Sequence, residues 1–131
     1  MASFDLQIVT PRGTRFDGKA ESLTVNTSAG MITIMAGHTD YMAAVTIGKA
    51  KTVSDGVSQY AVCGSGFLSV LGGKCTLIAG SFDVAADLDE EAVKADLTNA
   101  KVLLQDAKTE ADKQIAREKK QLATLRLSLF E

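Results

Sequence analysis

The chain has 131 residues, 46% of them hydrophobic, and a formal net charge of −2. That length allows one ordinary domain, or a small domain with an appendage, and excludes a large enzyme. A near-neutral balance gives no electrostatic footprint for nucleic acid, and no stretch approaches the ~18 apolar residues needed to cross a bilayer, so direct membrane insertion is not expected.

Along the chain the first half reads as short strands separated by turns. Pro11-Arg12-Gly13, Asp17-Gly18, Asp55-Gly56 and Gly72-Gly73 punctuate it, and the last two suit two-residue hairpins because both positions tolerate positive φ. Between them lie FDLQIVT, ESLTVNT, MITIM, YMAAVTI, AKTVS, VSQYAVC, FLSVL and KCTLIAG. Several alternate with period two, as in Leu23 and Val25, Ile32 and Ile34, or Tyr60 and Val62. Eight or so such strands predict an antiparallel sandwich or flattened barrel.

Near residue 86 the composition changes. All eleven glycines lie at or before Gly80 and the one proline is Pro11. Residues 1–86 carry 12 charged side chains and residues 87–131 carry 18. The expected domains are therefore 1–86, a sandwich, and 87–131, a helical unit.

Within the second, Val93, Leu97, Ala100 and Leu104 recur at helical spacing, and Ile115, Leu122, Leu125 and Leu129 predict a second stripe. Asp87 with Glu90, or Asp89 itself, fits the first helix start; Thr109 with Asp112 fits a second, with a break near Lys108. About 40 helical residues cannot bury enough apolar area to fold securely alone. Such a hairpin must lean on the sandwich or on a partner, which suits a mobile arm.

Catalytic motifs are scarce. His38 is the one histidine, and Asp40, two residues on along an expected strand, is too close to orient it. Gly64 to Ser69 begins like a dinucleotide fingerprint but ends in serine and runs into a strand, so a bulge or tight turn is expected. Gly48 to Thr52 has a lysine without a phosphate loop. Cys63 and Cys75, twelve apart, match neither a redox pair nor a zinc spacing, and no metal site is expected. Arg117 to Gln121 reads as a solvated face or as a contact for an acidic partner.

Taken in order, LQIVTPRGTRFDGKAESLTV, ITIMAGHTDYMAAVTIGKAKTV and YAVCGSGFLSVLGGKCTLIAGSFDVAADLDEE resemble the epsilon subunit of the rotary ATP synthase over nearly the whole chain. The resemblance implies a ten-stranded β-sandwich followed by two antiparallel helices. It further implies a non-catalytic central-stalk subunit, peripheral to the cytoplasmic face of a bacterial plasma membrane or its organelle equivalent. Its partners would be the gamma subunit, the membrane ring of c subunits and, through the arm, the catalytic alpha and beta subunits. The absence of a recognisable transit segment fits that location.

By position, the resemblance puts Gly37, His38, Thr39, Asp40 and Met42 on the face toward gamma, and Ser28, Ala29, Gly30 and Met31 at the ring. Where the family often has Glu-Gly-Glu near the ring, this chain has Ala29-Gly30-Met31, which implies an apolar contact through Met31 instead. In members that bind ATP between the helices, an arginine stands where this chain has Ala92. The match leaves Asp89, Arg117 and Arg126 as a candidate weak ATP site, and no cofactor is required. Two other readings remain: a stand-alone sandwich binding module with an oligomerising arm, and a small hydrolase using His38.

Overall fold

The computed structural model describes residues 2–130; positions 1 and 131, the outer limits of the two expected domains, lie outside them. Two compact units divide the chain, the first ending at Val84 and the second beginning at Ala85.

The first unit holds ten strands: β1 (Phe4–Thr10), β2 (Gly13–Ala20), β3 (Ser22–Thr27), β4 (Gly30–Met35), β5 (Tyr41–Val45), β6 (Gly48–Ser54), β7 (Val57–Cys63), β8 (Gly66–Leu71), β9 (Lys74–Ala79) and β10 (Phe82–Val84). Hydrogen bonding links them in the order β10-β7-β6-β3-β5-β8-β9-β1-β2, with β4 added to β3. The β1–β9 pair is parallel and the others are antiparallel. β3 is the corner of this sandwich, since Ser22–Thr24 pair with β6 while Thr27 pairs with β5.

Turn chemistry sets most of the register. Asp55 and Gly56 have φ of 52° and 75°, and Gly72 and Gly73 have 56° and 82°. Positive φ at both central residues matches the right-handed twist of the strands that each pair joins. One threonine device recurs at two other hairpins. The Thr10 hydroxyl donates to the Gly13 carbonyl and accepts from the Arg12 N–H; Thr27 does the same with Gly30 and Ala29.

The Asp17-Gly18 turn does not form. Both residues lie inside β2, opposite Gln7 and Leu6, and the chain reverses at Pro11-Arg12 instead, where Gly13 takes φ of 119°. β2 and β10 are the two strands that the period-two reading passed over. The alternation expected at Tyr60 and Val62 also fails: Tyr60 is exposed, whereas Ala61, Val62 and Cys63 are all buried, so the end of β7 is covered on both faces.

Leu6, Ile8, Leu23, Val25, Ile34, Leu68 and Leu77 form the centre of the sandwich core, closed by Phe4 and Phe82. Cys63 and Cys75 are buried free thiols, pushed up by burial to about 12 and about 11, which keeps them protonated and unreactive. The Gly64–Ser69 segment opens β8, as expected of a tight turn. A side chain at Gly66 would run into the Ile78 carbonyl, so the strands approach at that point only because no Cβ is present.

The second unit begins with a 3-10 turn (Ala85–Asp87) and continues as α1 (Glu90–Asp106) and α2 (Glu110–Ser128). Ala107 to Thr109 make the break, and a connection that short returns the second helix antiparallel to the first. Thr109 caps α2 by accepting from the Asp112 N–H at 3.1 Å. Asp89 occupies the N-cap of α1 without a side-chain bond.

Val93 and Ala100 are buried on α1, with Leu97 and Leu104 half-buried, as the stripe predicts. On α2 the stripe holds at Leu122, Leu125 and Leu129, which are half-buried, and fails at its first position. Ile115 is 50% exposed, and the buried residues are Ala116 and Ala123, seven apart. Alanines at a contact let two helices approach closely, so the smallest side chains rather than the largest face inward.

Candidate protein-docking surface

The segment between β4 and β5 turns at Ala36-Gly37, with Gly37 at φ of 81° and the His38 N–H donating to the Met35 carbonyl at 3.1 Å. It is a loop, not the strand supposed when Asp40 was set aside as an orienter. Asp40 is nonetheless engaged elsewhere: its carboxylate accepts from the Gly72 N–H at 3.1 Å, tying this loop to the β8–β9 turn. The His38 ring lies 2.7 Å, through Nδ1, from the Thr39 carbonyl, and meets Tyr41 edge-on at 5.7 Å. A carbonyl can only accept, so Nδ1 carries a hydrogen in this contact.

The loop feeds β5, whose alternation turns Met42 and Ala44 outward while Val45 is buried. Direct pairing extends that outward side across the sheet. Ala44 is opposite Phe67, Phe67 opposite Ile78, and Ile78 opposite Val9, a row on four adjacent strands. The next row is Met42, Ser69, Thr76 and Gln7, and Leu71 begins the third. Phe67 is 45% and Ile78 58% exposed. Neither of the first two rows contains a charge.

An antiparallel sheet with a solvated face ordinarily turns polar side chains outward on that side. Here Met42, Phe67, Leu71 and Ile78 are turned outward among the uncharged Ser69, Thr76 and Gln7, and large apolar side chains exposed together on one face mark a candidate protein-docking surface. Charges appear only toward its margin, where Lys74, Asp5 and Lys19 follow one another and Lys19 pairs with Asp5 at 2.6 Å. That pair holds the Asp5 carboxyl below its ordinary range, through the hydrogen bond first and the charge second.

Of the residues expected to face gamma, Gly37, His38, Thr39 and Asp40 form the loop at one end of β5, and Met42 stands on the apolar face. Sequence reasoning missed Ala44, Phe67, Leu71 and Ile78. The signal was present, because Leu68 and Val70 inward force Phe67, Ser69 and Leu71 outward.

The expected ring contact, Ser28 to Met31, lies at the other end of β5. The Ser28 N–H donates to the Ala44 carbonyl, Gly30 takes φ of 111°, and Met31 is exposed. The 37–40 loop and this turn thus stand at opposite ends of β5, roughly 13 Å of strand apart, with Met42 between them.

In the helical unit, a groove of about 350 Å³ between α1 and α2 is lined by Asp96, Asn99, Ala100, Leu103, Lys119, Leu122 and Arg126. Of the candidate ATP residues only Arg126 lines it. Arg117 and Asp89 are exposed elsewhere on the hairpin, and Ala92, in the first turn of α1, offers no cation. Among the described residues no group of three or more His, Cys, Asp or Glu side chains could hold a metal ion, and no helix is long and apolar enough to cross a membrane.

The architecture is that of a two-unit protein, a ten-stranded β-sandwich followed by a two-helix hairpin. Residues 3–85 match the family model of the ATP synthase delta/epsilon chain, beta-sandwich domain. The ATP synthase epsilon chain of Staphylococcus saprophyticus is 37% identical over 90 residues, 68% of this chain and 67% of that one. The epsilon chain of Bordetella petrii is 33% identical over 113 residues, 86% and 80% of the two chains. A chain in the cryo-EM structure of the Euglena gracilis mitochondrial ATP synthase OSCP/F1/c-ring assembly superposes over all of this chain and 83% of its own, with a TM-score of 0.81 at 16% identity, a likeness of fold. This chain belongs to the family of ATP synthase epsilon chains.

Proposed function

We propose that this chain is a non-catalytic rotor subunit that joins the gamma subunit to the membrane ring of c subunits, and that its hairpin restrains ATP hydrolysis by reaching the catalytic alpha and beta subunits. The observation that carries the reading is the pair of uncharged rows on the outer face of β5, β8, β9 and β1, with Met42, Phe67 and Ile78 exposed on them, in a chain of the epsilon family. A surface rich in Met42, Phe67, Leu71 and Ile78 suits a long-lived joint whose centre excludes water. The His38 loop borders this face, and the ring edge away from its Nδ1 contact offers Nε2 to a polar group of the partner.

The turn at Ser28 to Met31 is the ring contact in this reading, made through Met31 rather than through an acidic side chain. The chain would then sit at the cytoplasmic face of the membrane without entering it. ATP is at most a weak ligand of the hairpin, because Asp89, Arg117 and Arg126 do not converge and Ala92 supplies no guanidinium to a phosphate.

The test adds the full chain, and separately residues 1–86, to catalytic head complex depleted of this subunit, and follows co-elution and ATP hydrolysis together. The shorter form keeps its fold because every member of the sandwich core lies between Phe4 and Phe82. Binding of both forms with slowing by the full chain alone is the expected result. Binding without slowing removes the regulatory role, and failure of either form to bind removes the stalk assignment.

A further inference from the structure

Among the described residues three strands pair on one side only: β2 with β1, β10 with β7, and β4 with β3. An unpaired edge is a template for another chain, and proteins guard such edges with charges, bulges or shortness. β2 carries Arg15, Asp17 and Lys19, and its register to β1 shifts between Ile8 and Val9. β10 is three residues long. β4 has no such protection: it runs six residues without charge or proline and holds an unbroken register to β3 throughout. Its flanks, Ser28-Ala29 and Ala36-Gly37, are also uncharged.

The sequence of this edge identifies its occupant. Met31-Ile32-Thr33-Ile34-Met35 reads the same in both directions. When two copies pair antiparallel about a two-fold axis through Thr33, Met31 lies opposite Met35 of the second copy, Ile32 opposite Ile34, and Thr33 opposite itself. Residues directly opposite in such a pair share a face of the sheet. The exposed methionines therefore meet methionines, at 59% and 56% exposure in the single chain, and the inward-facing isoleucines meet isoleucines. A slip of one residue would set outward side chains against inward ones, so the pattern selects this register. Thr33 already bonds Thr24 through their hydroxyls at 2.9 Å, and the axis would extend that ladder across four strands.

We infer that the chain, when free, forms a two-fold dimer through β4–β4 pairing. A closed two-fold interface must be self-complementary, and a palindromic strand edge meets that condition along its whole length. Five residue pairs bury much less than the ~1,200–2,000 Å² of a stable complex, so the dissociation constant should be on the order of 0.1 mM. The inference does not rest on the rotor reading. Should both hold, the dimer covers Met31 and belongs to the chain outside its complex.

Sedimentation velocity of the full chain, from on the order of 10 µM to 1 mM, tests it with two double variants at exposed positions, their fold checked by circular dichroism. Wild type should pass from monomer toward dimer across the series. Met31→Lys with Met35→Lys places like charges opposite each other and should weaken association at least tenfold. Met31→Glu with Met35→Lys places opposite charges together in this register alone and should associate at least as well as wild type. A wild type that stays monomeric overturns the inference. So does a lysine pair that associates as tightly as the glutamate–lysine pair, or loss of association in the latter.

Discussion

The two units of this chain are stabilised in opposite ways. The sandwich completely buries a set of large apolar side chains, Leu6, Ile8, Leu23, Ile34, Leu68 and Leu77 among them. The hairpin buries Val93 and three alanines, Ala100, Ala116 and Ala123. A leucine core is costly to open, whereas an alanine seam holds two helices close while hiding little area from water. Rigidity is therefore concentrated where the docking face must keep its shape, and the low cost of opening is concentrated in the arm.

The largest effect should come from cutting the stiff unit. Leu68→Ala leaves a cavity beneath the docking face and should destabilise the sandwich by about 2–5 kcal/mol, read from urea unfolding. The hairpin has no counterpart to this loss. Enlarging its seam is the matching experiment: Ala123→Leu should cost about 1–3 kcal/mol, lowering the helical signal while the sandwich transition stays in place. If both variants shifted one common transition, the two units would be a single cooperative body and the contrast would fail.

Alkaline pH separates the units without mutation. The Cys63 and Cys75 thiols stay protonated in the folded sandwich up to about 12 and about 11, whereas in the unfolded chain they ionise near 9. Between those values the unfolded state binds fewer protons, so this contribution to sandwich stability falls as pH rises. The hairpin contains no cysteine. The pH slope of the sandwich transition above 9 should flatten in Cys63→Ala/Cys75→Ala, whatever the new baseline.

The docking face adds a third kind of residue, large and apolar yet contributing little to folding. Phe67→Ser or Ile78→Ser should alter stability by less than about 0.5 kcal/mol and weaken binding to gamma-containing head complex at least tenfold, about 1.4 kcal/mol. Equal loss of folding and binding would mean that these side chains belong to the core.

How legible all this was depended on whether the signal was local. Asp55-Gly56 and Gly72-Gly73 announced their hairpins because the required φ is written in the residues that turn. Asp17-Gly18 misled because the same dipeptide fits inside an edge strand once Pro11-Arg12 has made the reversal. Alternation along a strand gave Leu23 and Val25 correctly, yet it could not show which strands lie side by side. The row from Ala44 through Phe67 and Ile78 to Val9 exists only after β5, β8, β9 and β1 are assembled. On α2 the apolar period favoured Ile115, while packing chose Ala116, because contact distance between helices is a property of the pair.

The smallest predicted effects test whether the arm's helices are specified by their own ends. Thr109 accepts a hydrogen bond from the Asp112 N–H, so Thr109→Ala leaves that donor without its partner and should cost about 1 kcal/mol of hairpin stability. Asp89 holds the equivalent position on α1 but makes no side-chain cap bond. Its carboxylate can contribute only through the positive end of the helix, about 0.3–1 kcal/mol and screened by salt. Asp89→Asn should therefore cost less than Thr109→Ala at low salt and almost nothing at high salt, both read from the helical signal on thermal melting. If Asp89→Ala, which removes the acceptor oxygen that asparagine keeps, lost as much as Thr109→Ala, and lost it equally in high salt, Asp89 would be capping α1 by a bond after all. The first helix of the arm would then be as firmly begun as the second, and the arm would have no loose end at which to start opening.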